Sequence, residues 1–294
     1  MRASSLHHAI FFPLLVLSLA SSPAFARRPG DPLKPGFNLF TKDQDAQLGK
    51  EAALEVSRKY QTVDNRFLQD YVTRIGNRLA ATQEARDSGF PFRFTMIVEP
   101  GVNAFALPGG PMFIQTGLFT VLDNEAQLAG VMAHEMSHVI LRHGTHEATK
   151  AKGIGMVAAL AQAAVGDSST MARVLDGAIS LGANSWMLHY SRDAESEADA
   201  LGAHLMAEAG WDPAQLAVFF RKLNASASPG AGARALQQFL SDHPNPENRD
   251  LAIQLEAKAL PRRSYGYSTG DFVRARKEAL QISIAPPARP APRQ

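Results

Sequence analysis

The chain has no cysteine among its 294 residues. This excludes disulfides, thiolate metal ligands and a lipid-bearing N-terminal cysteine. Charge of one sign is also lacking. The formal net charge is +2, without the basic excess that a nucleic-acid binder needs to hold phosphates. Long apolar runs are scarce. The main candidate, Ile10 to Ala20, is broken by Pro13 and Ser18 and falls short of the ~20 residues that span a bilayer. No internal repeat is visible, which argues against a solenoid or propeller. With 45% hydrophobic and 20% charged residues, the chain is globular and long enough for one large domain or two small ones.

The apolar run at the start reads as a secretory signal. Arg2 is the only charged residue before Arg27, and Ala24-Phe25-Ala26 has the small-x-small form of a cleavage site, with the cut after Ala26. An uncleaved anchor is the alternative. The expectation is an exported protein with no stable membrane span, periplasmic in a Gram-negative source and not a lipoprotein. Residues 27–40, rich in Pro and Gly, read as a linker or extended arm. Helices are expected from about Asp43 to Tyr60 and again after Asp64, a plausible N-cap, with Phe67, Tyr71, Ile75 and Leu79 on one face. The pattern then changes to strands: Phe92 to Val98, then Ala104 to Leu107 and Met112 to Gln115, the last two joined by Pro108-Gly109-Gly110-Pro111. A long helix follows from about Asn124 to His143, closed by Gly144. Gly153 to Val165 is apolar and Ala-rich, residues 171–190 look helical, and Ser191 to Ala209 is a helix closed by Gly210. Asp212 caps another helix with Pro213 in its first turn, residues 225–233 form a small-residue loop, and the tail from Ala285 is Pro-rich and expected to be disordered. The expected division is a signal at 1–26, a linker at 27–40, a domain at 41–260 and a C-terminal extension at 261–294.

The chemistry sits in His134-Glu135-Met136-Ser137-His138. On a helix, the two histidines lie on one face a turn apart, so both imidazoles can reach one metal ion. Glu135, on the adjoining edge, can take a proton from the attacking water. Leu128, Val131, Met132, Val139 and Ile140 make the surroundings apolar, where three ionisable groups would be costly without a partner. A metal answers that cost. A surface helix with incidental His and Glu is the bland alternative, and these apolar neighbours argue against it. A catalytic zinc takes a third protein ligand and keeps one position open. Glu195 and Asp199, a turn apart in Glu195-Ser196-Glu197-Ala198-Asp199, can supply it. One carboxylate binds metal and the other accepts the N–H of a ligating histidine. Spacing alone does not say which does which. Glu197 points to another face and reads as a solvated carboxylate. His143 and His146 read as positive charges suited to a helix C-terminus. His189 and His204 have no defensible partner, and Trp186 and Trp211 read as core.

The text VMAHEMSHVILRH, YSRDAESEADALG and NAFALPGGPMFIQTGL resembles the metallopeptidase family of the CAAX prenyl endopeptidase and the HtpX-like proteases, over roughly residues 40–255. The resemblance implies a mainly α fold with a small β-sheet or hairpin (α+β), a zincin of gluzincin type. It implies one Zn2+ per chain on His134, His138 and Glu195, with Asp199 behind a ligand and Glu135 as catalytic base. It also implies that the stretch beginning at Asn103 forms the hairpin beside the active site. Strand addition of an extended substrate along Asn103, Ala104, Phe105 and Ala106 would then read backbone and suit unfolded or misfolded proteins. Within the family the chain is most similar to periplasmic BepA-like members, which carry an H-P-x-P-x-x-R loop, here His243 to Arg249. That likeness implies that His243 can take the fourth zinc position and hold the enzyme latent, as a fourth ligand displacing water would. Arg249 is expected to orient His243 or to bind substrate carbonyls, and Gly153 to Ala183 to lie over the cleft as a lid. BepA-like members continue into a helical-repeat domain that binds envelope-assembly machinery. Residues up to Gln294 leave no room for several repeats, so the expectation is a short form for which such a partner is in question. The reading is of a metalloendopeptidase in envelope protein quality control. The alternative is a chaperone-like periplasmic binding protein with a closed structural zinc site, which Glu135 argues against.

Overall fold

The computed structural model describes residues 27–150, 190–226, 243, 248–261 and 263–284. The expected signal segment, the apolar helix and lid after Gly153, the helix at 171–189, most of the loop from 225 and the tail from Ala285 lie outside these residues, as do Trp186 and His189. Among the described residues, no helix is long and apolar enough to cross a membrane.

Helix α1 (Lys42–Lys59) starts with a capping box. Thr41 accepts from the Gln44 N–H, and the Gln44 side chain reaches back to Thr41 N. Helix α2 (Arg66–Ala80) is capped by Asn65, not Asp64: Asn65 accepts from the Leu68 N–H at 3.2 Å. Tyr71, Ile75 and Leu79 are buried as their spacing predicts, joined by Leu68 and Val72. A short helix α3 (Gln83–Ser88), not foreseen, leads to β1 (Arg93–Ile97), β2 (Ala104–Ala106) and β3 (Pro111–Gln115). The sheet order is β1-β3-β2, with β3 antiparallel to β2 and parallel to β1. The β2–β3 turn needs positive φ at Gly109 (79°), and a side chain there would strike the backbone of Ala46. Alternation along β3 sends Met112 and Ile114 into the main core and Phe113 toward Ala52 and Val56 of α1. The sheet is therefore covered on both faces, and β2 is left at one edge.

Helix α4 (Glu125–Ile140) runs through the centre, and every one of its residues is buried. A helix buried on every side must be enclosed by others. Helix α5 (Arg192–Ala209), capped by Ser191 and ended by Gly210 as its sequence predicts, packs against it most extensively. A Cβ on Gly202 would sit 3.2 Å from the backbone nitrogen of His134, so this glycine lets the two helices approach. Helices α6 (Ala214–Ser226), α7 (Arg249–Ala259) and α8 (Asp271–Ile284) complete the body. The last was read as part of an extension, yet Phe272, Ala275 and Ala279 enter the main core. Buried Glu125 fastens this region. It accepts hydrogen bonds from Tyr71 Oη at 3.0 Å, from Trp211 Nε1 at 3.2 Å and from the Thr269 hydroxyl just before α8. Trp211 is thus a core residue, as expected.

Helix α4 stops at Ile140, not at His143. Arg142, rather than Gly144, takes the left-handed conformation (φ 58°), and the chain re-enters helix at 143–150. That conformation is unfavourable for a residue with a Cβ. Two tertiary contacts offset it: Arg142 Nε donates to Asp45 at 2.6 Å and Nη2 to the Phe40 carbonyl at 2.6 Å.

The arm at 27–40 is extended but fastened. Arg27 pairs with Glu256 at 2.6 Å, and the Gly30 N–H donates to the same carboxylate at 2.7 Å. His204, for which no partner was legible, meets Glu256 at 2.6 Å and Glu84 at 3.7 Å. Burial disfavours a charged His204, but hydrogen bonds to Glu256 and Glu84 carry its pKa from 6.5 to about 9. Burial likewise opposes a charged Glu256, yet His204, Arg27 and Gly30 hold it at about 2. The stabilisation from His204 is complete below about pH 6.5 and is lost as pH rises through about 9. That from Glu256 is complete above about pH 4.5 and is lost as pH falls through about 2. We predict a plateau between those limits and an alkaline decline in which His204 contributes on the order of 3 kcal/mol, the share that His204→Gln removes. Urea unfolding of both proteins near pH ~6 and ~9.5 checks this. An equal decline in the variant would show that His204 is not its source.

Candidate metal centre

Helix α4 presents His134 and His138 from successive turns of its buried length, and α5 presents Glu195 and Asp199 across from them. His243 comes from the segment before α7. Among the described residues, His134, His138, Glu195 and His243 offer one donor atom each, all within 4.8 Å of one another, and all four residues are buried. His134 Nε2 lies 3.1 Å from His138 Nε2, 3.4 Å from His243 Nδ1 and 3.3 Å from Glu195 Oε2. Glu195 Oε1 is 3.0 Å from His243 Nδ1 and 3.4 Å from His138 Nε2.

These separations suit a metal. Donors about 2.0–2.1 Å from a tetrahedral divalent cation stand roughly 3.3–3.4 Å from one another. The donor chemistry points the same way. Three imidazoles and a carboxylate turn ring nitrogens and carboxylate oxygens, the donor types that zinc takes, to one buried point. A cation satisfies all four at once.

The groups behind the donors set their direction. Asp199 Oδ1 is 3.0 Å from His134 Nδ1, the nitrogen facing away from the cluster. Arg249 Nη2 donates to Asp199 at 2.7 Å and to Glu195 Oε2 at 3.3 Å, and its guanidinium lies 3.3 Å over the Phe220 ring. Arg249 is buried, and the partners it meets here are carboxylates. Glu135 Oε2 accepts the Ala106 N–H at 3.2 Å. Its Oε1 lies 3.2 Å from His243 Nε2 and has no hydrogen bond among the described residues.

Electrostatics follow from burial and these neighbours. Burial opposes a charged His134, while Glu195 and Asp199 raise its pKa to about 9. Burial lowers His138 well below its usual range. Glu195 stays well below the carboxylate range despite burial, because His243 and His134 favour its charge. Burial raises Glu135.

The strand residues lie beside this cluster. Asn103 and Ala104 are buried, and Phe105 stacks on Phe113 at 5.3 Å. Since Asn103 and Leu107 bond to β3 through their backbones, the alternating positions Ala104 and Ala106 turn their backbone groups to the other edge.

Sequence reasoning missed three neighbours. Tyr190 stacks on His138, with ring centroids 3.8 Å apart. His143, read as a helix-end charge, is buried against His138, and Glu197, read as merely solvated, pairs with His143 at 3.1 Å. A His just beyond the metal motif and a carboxylate two residues after Glu195 were the available signals, but only tertiary contact joins them.

A sequence model of the family described as Peptidase family M48 matches residues 67–256. A Vibrio cholerae serotype O1 relative is 33% identical over 267 residues, covering 85% of this chain and 54% of that protein. The protein named beta-barrel assembly-enhancing protease in Escherichia coli K12 is 29% identical over 242 residues, covering 81% of this chain and 48% of its own length. The mitochondrial metalloendopeptidase OMA1 of Schizosaccharomyces pombe is 29% identical over 224 residues, covering 74% of this chain and 62% of its own. The chain spans about half the length of the two bacterial relatives.

Proposed function

The chain belongs to peptidase family M48, and from that membership we propose that it is a zinc-dependent endopeptidase acting on misfolded or unassembled envelope proteins. The carrying observation is the convergence of His134, His138 and Glu195 on one buried point with a Glu135 oxygen beside it. The substrate class and a link to envelope assembly draw support from a relative's name as a beta-barrel assembly-enhancing protease. A periplasmic site of action, with a signal cleaved after Ala26, belongs to the same proposal and draws on the small-x-small sequence Ala24-Phe25-Ala26.

His134, His138 and Glu195 would hold one zinc ion. When bound, zinc acts as a Lewis acid that polarises the scissile carbonyl and makes water a nucleophile near neutral pH. Glu135 takes the water's proton on a carboxylate oxygen and returns it to the leaving amine nitrogen. Asp199 fixes the His134 tautomer through Nδ1, and Arg249 fixes Asp199. The outer edge of β2, through the Ala104 backbone and the Ala106 carbonyl, with the Ala106 N–H on Glu135 and Asn103 and Phe105 holding the strand in place, would line up an extended substrate.

His243 stands between Glu195 and Glu135, 3.0 Å from one and 3.2 Å from the other. That position is where water and a scissile carbonyl would sit, which supports reading the arrangement as latent. If the competent state is a tenth or less of the population, His243→Ala raises cleavage on the order of tenfold or more. The assay is cleavage of a fluorescently labelled unfolded protein by zinc-loaded wild type and variant. A variant that binds zinc yet is no faster than wild type would show that His243 does not restrain the site. Cleavage by neither protein would favour the chaperone-like reading with a closed structural zinc.

A further inference from the structure

The two histidines of α4 differ in what stands behind them. His134 turns Nδ1 to a carboxylate, Asp199. His138 turns its Nδ1 to another imidazole: His143 Nδ1 is 2.9 Å away. The far nitrogen of that ring, His143 Nε2, is 3.1 Å from Glu197 Oε2. One proton assignment satisfies the whole line. His143 Nε2–H donates to Glu197, and His138 Nδ1–H donates to the His143 Nδ1 lone pair. The His138 Nε2 lone pair is then directed at the cluster.

The backbone break described above makes this contact. His143 follows His138 by five positions. At 3.6 residues per turn, an uninterrupted helix would point it well away from the face that His138 occupies. The left-handed Arg142 ends α4 and swings His143 back. The result is a histidine that is 3% exposed, with its outward nitrogen on a half-exposed carboxylate. Tyr190 closes the other side of His138 by stacking on its ring.

We infer that His143 is a positioning residue for the metal ligand His138, and that Glu197 acts through it to fix the tautomer and direction of that ligand. The inference rests on the zinc-site reading of the preceding section. It gives each α4 histidine a carboxylate anchor, a direct one for His134 and one relayed through an imidazole for His138. Partners of this kind are worth about 10–100-fold in metal affinity.

The test is the zinc(II) affinity of the full chain, measured by competition with a chromophoric chelator. His143→Ala is expected to weaken zinc binding about 10–100-fold, and Glu197→Gln to weaken it by less. Glu197→Gln added to His143→Ala costs nothing further, because its effect passes through the missing ring. His143→Gln keeps an acceptor for His138 and recovers part of the loss. The visible absorption of the cobalt(II) protein shifts in His143→Ala, since the ligand field depends on how His138 is held. His138→Ala and His134→Ala are the controls. Affinity for His143→Ala within about twofold of wild type, with His138→Ala strongly impaired, overturns the inference and leaves the zinc site standing. Fully additive losses for Glu197 and His143 overturn the relay. If the His138 and His134 variants also bind zinc as wild type does, the zinc-site reading falls and takes this inference with it. Should His143→Ala not fold, as judged by circular dichroism without metal, His143→Gln and the half-exposed Glu197→Gln carry the same comparison.

Discussion

Glu135→Gln is expected to reduce cleavage by about 10²–10⁴-fold, the usual worth of a positioned general base, while zinc binding is retained. The amide matches the carboxylate in shape and its carbonyl can still accept the Ala106 N–H, the bond that Glu135 Oε2 makes at 3.2 Å. What it cannot do is take a proton from water. Glu135 is also not one of the four donors grouped at the centre, so the metal loses no ligand. Zinc content by elemental analysis, paired with cleavage of an unfolded protein in the His243→Ala background, decides the matter. Retained cleavage at more than a tenth of the parent rate would remove Glu135 from the base role. Loss of zinc along with activity would make it a structural group.

Arg249 is expected to give the second large effect. It is buried, donates to Asp199 at 2.7 Å and to Glu195 at 3.3 Å, and lies flat on Phe220. Arg249→Met keeps much of the volume but takes the guanidinium from two buried carboxylates, leaving them only their imidazole neighbours. Removing one partner of a buried ion pair costs about 3–5 kcal/mol. Urea unfolding of the metal-depleted variant should show a loss of that size. Zinc affinity should fall as well, because Asp199 is then free to turn from His134. Arg249→Lys keeps the charge without the flat fork and recovers only part of either loss. A change in stability below about 1 kcal/mol for the Met variant would mean that protonation or solvent replaces Arg249 readily.

Local spacing made much of this molecule legible. The pairs His134/His138 and Glu195/Asp199 each lie one turn apart, so a helix brings each pair together whatever the rest of the chain does. Ser191 and Gly210 bound α5 because cap chemistry is local, and the Pro-Gly-Gly-Pro turn marked the hairpin for the same reason. The losses are tertiary. The α4 boundary was misplaced because a left-handed arginine has no sequence signal; Asp45 and the Phe40 carbonyl, far earlier in the chain, make it tolerable. Helix α8 was overlooked because its core face uses two alanines and one phenylalanine, a weak apolar stripe by composition. For Arg249 the sequence offers an orienting task toward His243 or a substrate-facing one, and nothing near it in sequence reveals that Asp199 and Phe220 enclose it. His143, Glu197, His204 and Glu256 are likewise paired only by the packing of α4, α5, α7 and the segment after α4.

A consequence follows for the order in which the chain is made. Ribosomes deliver His134, Glu135 and His138 first, Glu195 and Asp199 later, and His243 and Arg249 later still. The first two groups sit on helices that bury each other, and Arg249 fastens Glu195 and Asp199 only once α7 has docked. A chain still emerging therefore holds a water-activating motif without its third donor, and then a third donor without its clasp. The centre is complete only when α4, α5 and α7 have all docked. For the endopeptidase proposed above, whose substrates would be unfolded polypeptides, this order would keep a copy that is still folding from being armed.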